Sequence, residues 1–349
     1  MLRFLSAALI LFLVLPAAAQ EYVPVNQNPD FKAEAVRIAE QFVVPRYEAL
    51  AARFLTQNEA WKTYCGKPDD RGFEQLGVQF REAAEAWAAV ELVRYGPISE
   101  DFRYERIAYW PERKNDVARG LARLLSSNDA LTEDSMYDRS VAVQGMSALE
   151  RLLYDEGAAA ALKAGDLGAK RRCAAGQAIS FNLTRVSKDV LTDWKPLIQK
   201  LKTGDEGPAR EAVTRFGTDL LMLFQVVGDQ KLDVPVGTTS GEAKPQAAQW
   251  WRSGLSNATI ATNLKSAADL SYMILGSGGP GINTVGATET AQSLAESLPA
   301  PLPDMIKDGS QRSKLLLLRN AVRGARDLTT AYVPAALGIV VGFNSLDGD

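Results

Sequence analysis

What most constrains this chain is a stepping pattern of apolar residues. Between positions 76 and 90 they stand at Leu76, Phe80, Ala83, Trp87 and Val90. The intervals of four and three lay one apolar stripe along an α-helix packed among other helices. The same spacing occurs at Phe31, Ala35, Ile38 and Phe42, after the helix-start signal Asn28-Pro29-Asp30 and before Pro45, which should kink or interrupt the helix. Further helices are expected around 117–125, around 139–162, through Ile179, Leu183, Val186, Val190 and Trp194, through Val213, Phe216, Leu220 and Phe224, over 250–275, and finally through Leu315 to Leu318, Val322 and Leu328. Few stretches alternate apolar and polar residues with β-branched enrichment, so a sheet has little support. The predicted class is all-α, as two helical bundles of about four helices each.

At 349 residues the chain is long for one core. The turn-rich, charged stretch LKTGDEGPAR marks the expected boundary, with one bundle over 20–203 and a second over 204–349. The polar segment from Gly228 reads as a long loop, and GSGGPGINTVG at 276–286 as a flexible connection. The latter is no phosphate loop, because no lysine follows in the required place and no strand precedes it.

The first residues, MLRFLSAALILFLVLPAAAQ, combine Arg3, an apolar run from Leu5 to Leu15, Pro16 and three alanines. They read as a cleavable secretory signal over 1–19. The run is too short for a membrane span, and the expected location is periplasmic with no span in the mature chain. Basic and acidic residues number 39 and 42 without long runs of either sign, so nucleic acid is not an expected partner.

The chain contains no histidine. That removes Ser-His-Asp and Cys-His catalysis and the H-E-x-x-H zinc site, each of which needs an imidazole. Serine with a lysine base lacks its Ser-x-x-Lys spacing. Cys65 and Cys173 are the two cysteines. Export makes a disulfide between them plausible, and two buried thiols are the alternative.

VQGMSALERLLYDEG, residues 143–157, places Gly145, Ser147 and Glu150 in a Gly-x-Ser-x-x-Glu spacing. Ser147 and Glu150 lie one helical turn apart and share a face. A glycine inside a helix costs about 1 kcal/mol relative to alanine, which points to close packing or to room for a ligand. The residues alone leave two readings open: a helix crossing with Glu150 paired to an arginine, or a site.

This stretch resembles the signature of the imelysin-like family, Gly-x-His-x-x-Glu within G-x-x-A-L-E-x-L-L. Gly145, Ala148, Leu149, Glu150, Leu152 and Leu153 match, and Ser147 stands where the family has histidine. The ending GFNSLDGD is similar to the family's closing G-F-N-x-L-D-G-D. AWAAVELVRYGP (86–97) and WWRSGLS with its following helix (250–260) look like further family blocks. The resemblance implies a two-domain helical fold, export to the bacterial envelope, a pocket near the signature between the domains, and a link to iron uptake. The family's peptidase label rests on the histidine and glutamate as a pair, and here that pair is broken. A serine hydroxyl replaces imidazole neither as a strong neutral ligand nor as a base near pH 7.

The expected function is therefore a non-catalytic binding or accessory protein. Its partners would be a small ligand or metal ion and envelope iron-uptake proteins. The alternatives are an interaction module with an inert cleft and, last, a metallopeptidase. An iron or calcium ion could be held by oxygen donors alone, with Glu150 and Glu91 as the candidate metal ligands. Glu82 and Glu85, one turn apart, read as a solvated helix face. Asn344 and Asp347 in the closing motif are candidate supports of the pocket wall. Trp87, Trp110, Trp250 and Trp251 read as packing residues.

Overall fold

The computed structural model describes residues 23–340 apart from Arg113 and Glu133. The expected signal segment and the candidates Asn344 and Asp347 lie outside the described residues. The fold is all-α, and the described residues contain no strand.

Fourteen α-helices are named here: α1 Phe31–Ile38, α2 Val44–Gly66, α3 Asp70–Val90, α4 Arg103–Ile107, α5 Asp116–Ser126, α6 Met146–Tyr154, α7 Ala158–Lys163, α8 Leu167–Thr203, α9 Glu206–Gln225, α10 Val234–Val236, α11 Ser256–Leu275, α12 Gly279–Glu296, α13 Leu302–Lys307 and α14 Arg312–Leu337. No helix among the described residues is long and apolar enough to cross a membrane.

Helix α3 organises the site. Asp69 caps it by accepting from the Gly72 N–H at 2.6 Å. All five stripe residues, Leu76, Phe80, Ala83, Trp87 and Val90, are buried. One flank packs against α2, which also packs along α8, and the other against α11, which pairs with α12. Helix α14 closes against α12 and α9. Glu91 sits just past the last turn of α3, so a carboxylate is carried into the interior by the apolar stripe that precedes it.

Pro45 interrupts the first helix in a specific way. Proline offers no N–H to the preceding turn, and the chain widens into a π-helical turn over Ala39–Val43 before α2 begins. Cys65 at the end of α2 is joined by a disulfide to Cys173 near the start of α8, with Cα atoms 5.6 Å apart.

Four local expectations are corrected. The helix expected around 139–162 is broken into a short 3-10 turn at Val141–Val143, then α6 and α7, with Gly157 at positive φ between the last two. The expected loop from Gly228 continues the helix instead, as a π-helical segment over Val226–Asp233 and then α10. Helix α11 starts at Ser256, after a turn at Trp250 to Gly254. The glycine-rich stretch 276–286 is mostly the first turns of α12, which Pro280 can open because the first helical N–H groups have no partner in any case.

Candidate functional site

The signature forms the start of α6. Gly145 is the residue before the helix rather than part of its interior, and a Cβ there would overlap the carbonyl oxygens of Arg106 and Ile107. The glycine is required by close approach of two backbones. Gln144 holds the neighbouring segment: its side-chain carbonyl accepts from Arg106 Nη1 at 2.7 Å, and its Nε2 donates to the Tyr137 carbonyl at 2.9 Å. Asn182 on α8 donates to the Gln144 backbone carbonyl at 3.2 Å.

From this anchored start, Ser147 and Glu150 both face a cavity of about 380 Å³. Its walls come from two distant parts of the chain, Tyr109 to Glu112 with α6 on one side and Gln230, Val234 and Gln246 to Arg252 on the other. Trp110, Trp250 and Trp251, expected as packing residues, all line it, whereas Trp87 is core, edge-on to Tyr104 with ring centroids 5.0 Å apart.

Glu150 is 4% exposed. Its Oε1 accepts from the Ser253 backbone N–H at 3.0 Å and from the Ser253 hydroxyl at 2.8 Å. Its Oε2 has no hydrogen-bond partner among the described residues. Burial pushes the Glu150 carboxyl above its usual range, and the Ser253 bonds with the charges of Arg252 and Arg151 only partly oppose this. The turn that delivers Ser253 is strained: Trp250 has φ of 56°, a left-handed conformation that is a genuine outlier for a bulky side chain. Among the described residues, Glu150 does not pair directly with an arginine. Arg151, its neighbour, instead binds Asp155, Glu112 and Asn115, at 3.2, 3.2 and 2.8 Å, and Arg252 donates to Asp155 at 2.6 Å.

Ser147 Oγ donates to the Tyr109 backbone carbonyl at 3.2 Å. The hydroxyl therefore pins the Tyr109–Pro111 segment, which separates the first cavity from a second of about 590 Å³ lined by Glu91, Arg94, Tyr104, Met222 and others.

Glu91 is 4% exposed and lies in a closed polar cluster. Its Oε2 accepts from Lys231 Nζ at 2.7 Å and Asn263 Nδ2 at 3.1 Å, and its Oε1 from Gln249 Nε2 at 3.2 Å. Burial would raise its pKa, yet the Lys231 ammonium and the two amides hold it below the usual carboxylate range. Lys231 is 1% exposed and also donates to Asn263 Oδ1 at 2.6 Å. Glu82 bonds Arg53 at 2.9 Å on a partly exposed surface, as a solvated face would.

Comparison with known proteins now bears on this geometry. The sequence profile of imelysin (peptidase M75) matches residues 43–326. The chain belongs to the imelysin family. An imelysin-like protein from Psychrobacter arcticum 273-4 superposes with a TM-score of 0.75 at 23% identity, over 92% of this chain and all of that one. A proposed iron-regulated protein A precursor from Parabacteroides distasonis ATCC 8503 gives 0.63 at 14% identity, over 89% and 98% of the two chains. No curated protein matches.

In this imelysin the two carboxylates expected to hold a metal do not form a ligand set. Glu91 has spent both oxygens on an ammonium and two amides, and Glu150 offers one uncommitted oxygen. Among the described residues no group of three or more His, Cys, Asp or Glu side chains could hold a metal ion. A hard cation such as calcium takes six to eight oxygen ligands, more than these two carboxylates offer by themselves.

Sequence reasoning missed Ser253, Gln249, Lys231 and Asn263. WWRSGLS marks Ser253 as part of a family block, but nothing local distinguishes Gln249, Asn263 or, in a run of polar residues, Lys231.

Proposed function

We propose that this imelysin is an exported, non-catalytic binding protein of the bacterial envelope, serving an iron-linked system, with its ligand held in the cavity beside Ser147 and Glu150. The supporting observation is the state of Glu150: a buried carboxylate on a cavity wall, oriented through one oxygen by Ser253 and left open at the other. Such a group is arranged to hold, whereas cutting a bond would need a base next to a nucleophile. The Ser147 hydroxyl donates its hydrogen bond to a backbone carbonyl, and the chain has no imidazole to take its proton. The iron link rests on the family and on the iron-regulated relative, whose own name carries it. The apparent signal segment supports export.

Protein isolated from its source envelope, then denatured, is expected to release a small molecule identifiable by mass spectrometry, and Glu150→Ala protein isolated the same way to release none. Release of nothing by either protein, together with envelope partners captured equally by both, would favour an interaction module instead. Chelator-sensitive peptide cleavage by pure protein would return the chain to the peptidases.

A further inference from the structure

Among the described residues, the charges around the first cavity do not balance. Glu112 has both oxygens engaged, Oε1 by the Val117 N–H at 2.8 Å and Oε2 by Arg151. Asp155 is shared between Arg151 and Arg252. Three carboxylates, Glu112, Asp155 and Glu150, thus meet two guanidinium groups, and the unpaired charge is that of Glu150, with its free Oε2. Gln249, 3% exposed in the same wall, leaves its Oε1 unpartnered.

Four aromatic residues are part of the lining, Tyr109, Trp110, Trp250 and Trp251, beside polar Asn115, Ser147, Gln230 and Gln246. These rings already attract cations, for Arg252 lies 4.3 Å from the Trp251 centroid and Lys231 5.9 Å from that of Trp110. A carboxylate with one open oxygen suits an organic ammonium, which needs one anionic acceptor, neutral acceptors beside it and π-faces around its carbon atoms. The cavity volume lies in the range of small-molecule sites.

Resting on the binding reading above, the geometry points to a small organic cation, an alkylammonium, as the ligand class of this cavity, with Glu150 Oε2 as its counter-ion and Trp110 and Trp251 as its walls. The test is a titration of the full mature chain followed by NMR of its indole N–H signals, with n-butylammonium and tetramethylammonium as probes. Butanol and butyrate serve as isosteres of butylammonium, and calcium chloride as the metal control. Glu150→Gln keeps an acceptor for Ser253 and so preserves the turn.

Butylammonium is expected to shift the indole signals in a saturable way and to bind at least about tenfold more tightly than butanol or butyrate, a difference expected to disappear in Glu150→Gln. Trp251→Leu should weaken it several-fold without abolishing it. Equal binding of the isosteres, tighter binding of calcium, or undiminished ammonium binding by Glu150→Gln would overturn the assignment. Should butyrate or butanol bind in a Glu150-dependent way, the binding reading stands while the cation falls. Should no probe bind and no small molecule be released by protein from its source, both fall.

Discussion

At Gly145 the Arg106–Ile107 backbone leaves no room for a methyl group, and backbone cannot rotate away as a side chain can. Gly145→Ala should therefore destabilise by about 3 kcal/mol, the upper part of the usual overpacking range, measured as a lower urea midpoint with an unchanged slope. An unaltered midpoint would mean that the close approach is not a constraint. Asp219 on α9 carries the opposite kind of constraint, one of charge. It is buried and accepts from the Arg94 and Tyr95 N–H groups at 2.8 and 3.0 Å, and burial raises its pKa to about 7 despite those bonds. A carboxyl raised in the folded state stabilises fully below its unfolded pKa of 3.8, and that contribution is lost as pH climbs through about 7. Asp219→Asn keeps an acceptor but cannot titrate, so the stability of the parent relative to this variant should fall by on the order of 4 kcal/mol between those limits. Denaturant unfolding across the pH range checks this, and parallel profiles would refute it. At Gly145 the sequence left close packing and room for a ligand both open, and it placed the glycine inside the helix rather than at its start. Asp219 was not legible, because its partners lie 125 and 124 positions earlier.

The π-helical segment Val226–Asp233 and the end of α3 meet through Lys231 and Glu91. Lys231→Met should cost about 3–5 kcal/mol, because it strands a buried carboxylate. The double variant Glu91→Gln, Lys231→Met removes both charges and should recover most of that loss, and a double-mutant cycle from urea unfolding separates the two cases. Losses that simply add, with the double variant costing as much as Lys231→Met and Glu91→Gln together, would show that the pairing itself contributes little. These elements also mark where sequence reasoning succeeded and where it stopped. The five-residue stripe of α3 was readable because local period alone determined its buried face. The segment after Gly228 looked like a loop because the partners of its polar residues are distant: Lys231 bonds Glu91 just past α3 and Asn263 on α11, and Asp233 bonds Arg319 and Arg323 on α14, none of which a local pattern announces. Likewise, the proline and glycines at 276–286 read as breakers, although in the first turn of a helix they are compatible with it. At the site, the spacing placed Ser147 and Glu150 on one face, and both residues line the first cavity. Their partners, Tyr109 and Ser253, come from segments whose approach is set by tertiary packing.

Across the whole molecule, the Cys65–Cys173 bridge spans 108 positions and links the end of α2 to the start of α8. Closing a loop of that size restricts the unfolded chain far more than the folded one, whose α2 and α8 already pack together. The loop-entropy relation assigns such a bridge about 4–5 kcal/mol. Cys65→Ser with Cys173→Ser should lose roughly that amount, and adding a reductant to the parent should reproduce the loss while leaving the double variant unchanged. The denaturant slope distinguishes the origin of the effect. A released unfolded chain expands and exposes more surface, so the slope should steepen on reduction if the bridge acts through the unfolded state. A lower midpoint with an unchanged slope would place the effect in the native packing of α2 on α8 instead. Because such a bridge persists in oxidising compartments, a large loss on reduction would also accord with a chain that functions after export.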